Sequence, residues 1–296
     1  MLKKVLFAVD FSPFTEKMLE CAGELVGVGM NQMLLLHVID AKMHVEYGEH
    51  LSPAYTAMEE EARRQLELLA DRVKGDGYKV ETLIKAGSPA LTIVETAREE
   101  DVDFIYLGAH GKGFFNRFLL GSVSEKVLAL SDRPVMIQQC RANEGEGGDF
   151  SCANVCGLLL EHILIANDFS EYAEKVRPAL NNFVESFCAP VTLLHVQEGK
   201  SAFGWGAALK AKKEKARNEM EILQEMADSM APSCKSVDVK LAEGNPAQWI
   251  LQVAEDINAS LLIIGAFGYR TTGGFLGGVA QRVIRESERP VLVLKA

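Results

Sequence analysis

Lys4-Val5-Leu6-Phe7-Ala8-Val9-Asp10-Phe11-Ser12 is answered by His162-Ile163-Leu164-Ile165-Ala166-Asn167-Asp168-Phe169-Ser170, 158 residues further along the chain. The same offset carries Leu35-Leu36-His37-Val38 onto Leu193-Leu194-His195-Val196. At an offset of 157, Gly87-Ser88-Pro89-Ala90 falls on Gly244-Asn245-Pro246-Ala247, and Leu107-Gly108-Ala109-His110-Gly111 falls on Ile264-Gly265-Ala266-Phe267-Gly268. At 156, Asp132-Arg133-Pro134-Val135 meets Glu288-Arg289-Pro290-Val291. Matches in one order with so little drift amount to a tandem duplication. The expected division is a first domain over 1–141, a linker over 142–157 and a second domain over 158–296. Within the linker, Ala142 to Ser151 is Gly- and acid-rich without a hydrophobic period, and reads as a flexible connection.

Each copy alternates short apolar runs with longer segments of helical period. In the first copy the strands are expected at Lys4–Val9, Met33–Val38, Lys79–Lys85, Phe104–Leu107 and Val135–Gln138. The helices are expected at Phe14–Val26, Pro53–Lys74, Ala90–Glu100 and Val123–Leu130, with Ser52-Pro53 a cap-and-proline start and Gly75 and Gly77 a stop. The second copy repeats the scheme with a lysine-rich helix near Ala207–Met230, whose charges read as a solvated face. Such β-α-β alternation with continuous Val/Leu/Ile strands predicts an α/β fold: two doubly wound domains, each a five-stranded, mostly parallel sheet covered on both faces. Ligands bind such sheets beyond the carboxyl ends of the strands, which draws attention to Asp10, Val38 and Gly108.

Composition narrows the function classes. With 31 Lys and Arg against 41 Asp and Glu the net charge is −10, which disfavours a nucleic-acid surface or an anionic-membrane clamp. No apolar run approaches the roughly 18 residues of a membrane span, and the five apolar residues Val5 to Val9 are too few for a signal-peptide core, so a cytoplasmic location is expected. Six cysteines are too few for a disulfide scaffold and are expected to be reduced, mostly as small apolar residues. Cys140, Cys152 and Cys156 cluster in or beside the linker without a metal-binding spacing, and His44, Glu46, Glu49 and His50 read as a solvated loop, so no metal site is assigned to protein ligands.

The fourth strand of the first copy runs into Gly108-Ala109-His110-Gly111, and Gly121-Ser122 follows at the start of a helical segment. Glycines let backbone N–H groups approach a ligand, and a helix start adds free donors and the positive end of the dipole, a combination suited to phosphate. The loop is neither a Walker P-loop nor the dinucleotide G-x-G-x-x-G. An ionised Asp accepts hydrogen bonds and repels phosphate, so Asp10 suits the nucleoside end or a turn before the helix, whereas the Ser122 hydroxyl can donate to a phosphate oxygen.

Taken together, the G-2x-G-9x-G-[ST] spacing of Gly108, Gly111, Gly121 and Ser122, the Asp after the first strand, His37-Val38 and Arg133-Pro134-Val135 resemble the universal stress protein family, whose likeness covers both halves of the chain, with its ATP-binding branch matched in the first domain. The resemblance implies a fold like that of the adenine nucleotide alpha hydrolases. It further implies ATP or AMP, with magnesium alongside the phosphates, held by Ala8, Asp10, Val38, Leu107, Gly108, Gly111, Gly121 and Ser122. It also implies that the last strands, Val135–Gln138 and Val291–Leu294, pair antiparallel as an intrachain pseudo-dimer, leaving any homodimer to another surface. In the second copy Asp168, Val196, Gly265, Gly268 and Gly278 mark a weaker site: neither Gly277-Gly278 nor Gly278-Val279 supplies a hydroxyl, and Phe267 and Tyr269 replace His110 and Lys112. A stress-response sensor or regulator that does not turn over substrate is the expected function. A slow ATPase or related hydrolase, and a nucleotide-free interaction module, are the alternatives.

Overall fold

The computed structural model describes residues 2–40, 53–75, 77–109, 120–139, 141–142, 150–151, 159–198, 207–268 and 276–296. The chain divides into two compact units, Met1–Leu158 and Leu159–Leu294.

In the first unit the strands are β1 (Lys4–Val9), β2 (Gln32–Asp40), β3 (Lys79–Gly87), β4 (Phe104–Gly108) and β5 (Val135–Gln138). They lie in the order β3-β2-β1-β4-β5, and every pairing among them is parallel. Parallel neighbours need crossovers, which α1 (Pro13–Ala22), α2 (Pro53–Gly75), α3 (Pro89–Glu99) and α4 (Ser122–Leu130) provide. The central strands are apolar on both faces because both are covered: Leu6, Phe7, Leu35, Phe104 and Tyr106 are fully buried. Burying one such side chain contributes about 1.5–3 kcal/mol. The Tyr106 hydroxyl, carried into this core, donates to Gln138 Oε1 at 2.8 Å and is thereby satisfied.

One helix departs from expectation. The segment expected to be helical over Phe14–Val26 is α-helical only to Ala22 and continues as a 3-10 turn over Gly23–Val28. Gly23, Gly27 and Gly29 weaken the helix there, and the buried Tyr78 hydroxyl takes the Ala22 carbonyl at 2.6 Å. Gly29, at φ +91°, ends the turn in a conformation that side chains rarely adopt.

A second departure lies near the end of the first unit. The flexible connection expected over Ala142–Ser151 has paired ends, β6 (Arg141–Ala142) and β7 (Phe150–Ser151), which form a short antiparallel ladder.

The second unit holds β8 (Ile163–Ala166), β9 (Pro190–Gln197), β10 (Ser236–Glu243), β11 (Leu261–Gly265) and β12 (Val291–Leu294), in the order β10-β9-β8-β11-β12 and again parallel throughout. Its helices are α5 (Glu171–Phe187), α6 (Ala207–Met230), α7 (Pro246–Asp256) and α8 (Gly278–Glu286). The Ser170 hydroxyl caps α5 by accepting from the Ala173 N–H at 3.1 Å.

The cysteines correct a sequence expectation. Cys21 is fully buried in α1 but disulfide-bonded, so the cysteines are not uniformly reduced. Cys188 is exposed and Cys234 half-buried, both free, so neither serves as a small core residue. Cys140, Cys152 and Cys156 lie outside the described residues.

Candidate functional site

The strand order creates the site. From β1 the chain crosses to β2 on one side, and from β4 it crosses to β5 on the other, so a crevice opens beyond the carboxyl ends of β1 and β4. Val9 lies opposite His37, and Phe7 opposite Tyr106. Continuing both registers sets Asp10 between Val38 and Ala109. The second unit repeats this: Ile163 faces Val191 and Leu261, so continuation sets Asp168 between Val196 and Ala266.

In the first unit Asp10 is a turn acid. Its Oδ1 accepts from the Ser12 N–H at 2.9 Å and the Thr15 hydroxyl at 3.1 Å, fastening the sharp entry to α1. Phe11 sits inside that turn at φ 56°, and its ring lies 4.3 Å from the His37 ring. His37 Nδ1 is 2.8 Å from the Val9 carbonyl, which can only accept, so the proton is on that nitrogen. This pins the end of β2, where Val38 is half-buried, while Ala8 is half-buried and Leu107 buried at the ends of β1 and β4.

The glycine loop leaves β4 and returns to it. The Ala109 N–H donates to Gln138 at 2.8 Å, and the Gly121 N–H donates back to the Ala109 carbonyl at 2.7 Å, closing the loop at its base. Gly121 then caps α4 with extended backbone, and Ser122 stands exposed in the first turn. The early N–H groups of that turn have no acceptor within the helix, which leaves partial positive charge beside Gly108. Ser124, which the sequence reading overlooked, ties the two together: its buried hydroxyl donates to the Gly108 carbonyl at 2.7 Å. Gly111, His110 and Lys112 lie outside the described residues, as do His44, Glu46, Glu49 and His50.

The second unit has the same clasp, with Gly277 N–H donating to Ala266 at 2.9 Å and Ala266 N–H to Leu294 at 3.1 Å. Gly277 caps α8 at φ −60° and ψ 143°, matching Gly121 at −62° and 145°. The two spacings open at the sequence level thus resolve: Gly277 is the counterpart of Gly121, and Gly278 stands where Ser122 does. The Ser124 tether is also missing, since Ala280 is in its place.

Other side chains occupy the second crevice. Tyr172 and Phe267 meet edge to face at 5.0 Å, with Tyr172 carbon 3.6 Å from where a β-carbon on Gly265 would stand. The residues aligned with them in the first copy's sequence are Phe14 and His110. Tyr172 donates to the Leu294 carbonyl at 3.4 Å, and burial pushes its hydroxyl pKa up. Beside the pair, the Asp168 carboxylate leans over Gly268, which a phosphate would meet as like charge.

A buried polar group at the end of β9 also escaped the sequence reading. His195 Nδ1 lies 2.8 Å from the Asn167 carbonyl, with the Phe169 ring stacked at 4.3 Å. Its Nε2 is 3.6 Å from Glu219, an acid that also meets Lys215 at 3.5 Å and accepts from Gln197. The buried stripe of α6 (Leu223, Met226, Ala227, Met230) overlays that of α2 (Leu66, Leu69, Ala70, Val73) and puts Glu219 where the first unit has Ala62. That mismatch was readable once the helices were aligned. Among the described residues no group of three or more His, Cys, Asp or Glu is placed to hold a metal, and no helix is long and apolar enough to cross a membrane.

Two parallel α/β units, each with a switch-point crevice and a clasped glycine loop, define a tandem doubly wound α/β protein. The profile of the universal stress protein family matches residues 1–138 and 160–295, and the chain belongs to that family. A universal stress protein of Mycolicibacterium smegmatis is 25% identical over 98% of this chain and 96% of its own length. Universal stress protein MJ0577 of Methanocaldococcus jannaschii is 31% identical over 46% of this chain and 94% of its own length. A solved universal stress protein from Archaeoglobus fulgidus superposes with a TM-score of 0.75 at 27% identity, covering 99% of this chain and 98% of that one.

Proposed function

We propose that the first unit binds an adenine nucleotide, ATP or AMP, and that the protein acts in the stress response as a sensor or regulator and not as a catalyst. The observation that carries this reading is the Gly121–Ala109 clasp, which holds the start of α4, with the exposed Ser122 in its first turn, at the switch point. The adenine lies toward Val38, the ribose toward Asp10, and the phosphates, with any accompanying magnesium, toward Gly108, Gly111, Gly121 and Ser122. The second unit takes a nucleoside or a nucleotide with fewer phosphates, because Gly278 carries no hydroxyl and Asp168, Tyr172 and Phe267 occupy its crevice.

The reading places the protein in the cytoplasm, where a disulfide such as that of Cys21 is uncommon, so cell fractionation with thiol trapping tests location and bonding together. Calorimetric titration of the full chain with ATP, AMP and cyclic AMP, with phosphate release followed in parallel, tests the function. One high-affinity site per chain without turnover supports the reading. Turnover at a steady rate favours the hydrolase, and absence of binding favours the nucleotide-free module.

A further inference from the structure

Cys188 and Cys234 lie at the amino-terminal edge of the second unit's sheet, the end away from the crevice, each two residues before the first paired position of β9 and β10. Cys188 closes α5 in the left-handed region at φ 46°, and its N–H returns to Val184 at 3.0 Å. Cys234 follows a 3-10 turn over Ala231–Ser233. Beyond these two residues β9 and β10 run parallel, with Pro190 opposite Ser236. The Lys235 N–H donates to the Ala189 carbonyl at 3.3 Å, which ties the entries of the two strands together. Cys188 and Cys234 are thus the residues just before these tied entries to neighbouring strands. Neighbouring strands lie about 4.8 Å apart, inside the range of about 4.4–6.8 Å between the α-carbons of a disulfide.

We propose that Cys188 and Cys234 form a reversible dithiol–disulfide site that exchanges with small-molecule disulfides. Exposure makes Cys188 the sulfur a reagent reaches first. Its thiolate attacks one sulfur of the small disulfide, giving a mixed disulfide on Cys188 and releasing one small thiolate. Cys234 then attacks the Cys188 sulfur as thiolate, forming the internal bond and releasing the second. The protein loses two protons and two electrons, and the small disulfide is reduced to two thiols.

The order of the steps follows from the surroundings. Burial pushes the Cys234 thiol pKa up, and negative charge on Cys188 pushes it further. Capping Cys188 removes that repulsion, so Cys234 becomes easier to ionise when it is needed as the resolving group. The bond would join the end of α5 to the start of β10, closing a loop that contains β9 and α6.

Incubation of the full chain with oxidised glutathione, followed by peptide mapping without reduction, tests this. The expected product is a Cys188–Cys234 link within one chain, reversed by dithiothreitol and accompanied by an upward shift in the unfolding temperature. In Cys234→Ser the glutathione adduct should accumulate on Cys188, and in Cys188→Ser neither the link nor the thermal shift should appear. The proposal is overturned if Cys188 of the unsubstituted protein ends as a glutathione adduct, remains unreacted, or joins a second chain.

Discussion

Asp168 Oδ2 stands 2.7 Å from the point that a β-carbon on Gly268 would occupy, so the acid after β8 and the second glycine of the loop after β11 are fitted to each other. The other oxygen of that carboxylate holds the Ser170 N–H at 3.1 Å, which limits how far it can retreat. Gly268→Ala should therefore destabilise the second unit by about 1–3 kcal/mol, the usual cost of overpacking. Urea unfolding of Gly268→Ala, Asp168→Ala and the double variant checks this. A double variant whose loss equals the sum of the two single losses would dissolve the coupling.

Ser122→Ala should weaken ATP binding by about 1.5–3 kcal/mol, roughly 10- to 150-fold, because a hydroxyl donated to a charged phosphate is lost. Titration calorimetry at fixed magnesium reads the change. An unchanged affinity would take Ser122 out of the phosphate site.

Gly278→Ser offers the reverse test. A β-carbon at Gly278 meets nothing within 4 Å, so the hydroxyl can be restored without crowding. Tighter ATP binding by the second unit is expected in combination with Phe267→His, which exchanges the aromatic wall for the first unit's residue. If ATP already fills two equivalent tight sites in the unsubstituted chain, the asymmetry does not exist.

Ser124→Ala removes the tether from α4 to Gly108 and leaves the half-buried Gly108 carbonyl without that donor. The first unit should lose about 1–3 kcal/mol of stability. ATP affinity should fall as well, since the helix start is no longer held against the strand end. Chemical denaturation and ATP titration of the same variant read both effects, and the equivalent Ala280→Ser serves as the reciprocal comparison.

His162 makes the second unit sensitive to acid. Desolvation lowers its pKa from the usual 6.5, with Lys240 acting in the same direction and Asp238 opposing, while its Nε2 lies 2.9 Å from the Thr192 hydroxyl. Because the folded value is the lower one, the unfolded chain binds more protons below about pH 6.5. The stability is thus present above that pH and is lost as pH falls through the folded value. Denaturant midpoints measured from about pH 7.5 to 5 should decline less in His162→Gln than in the unsubstituted protein; parallel slopes would assign the acid response elsewhere.

How far the chain could be read follows from the range of each interaction. β1 and β5 were legible to the residue, because a continuous apolar run is a local property of a doubly covered strand. α1 was read too long, since the tie between Tyr78 and the Ala22 carbonyl joins residues far apart in sequence. The glycine spacing disclosed Gly108, Gly121 and Ser122, yet Ser124 was passed over because its value depends on where the end of β4 lies. In the second copy the choice between Gly277 and Gly278 had no answer in spacing alone, and the matching cap angles decided it.

The clasp between Gly121 and Ala109, and its twin between Gly277 and Ala266, has a wider consequence. A hydrogen bond at the neck anchors each loop, and the two loops differ in length by one residue while their necks are the same. After the ancestral gene doubled, selection could rewrite what one mouth accepts without disturbing the strands that support it. Ligand preference can therefore drift in one half of such a chain while the other half keeps its inheritance.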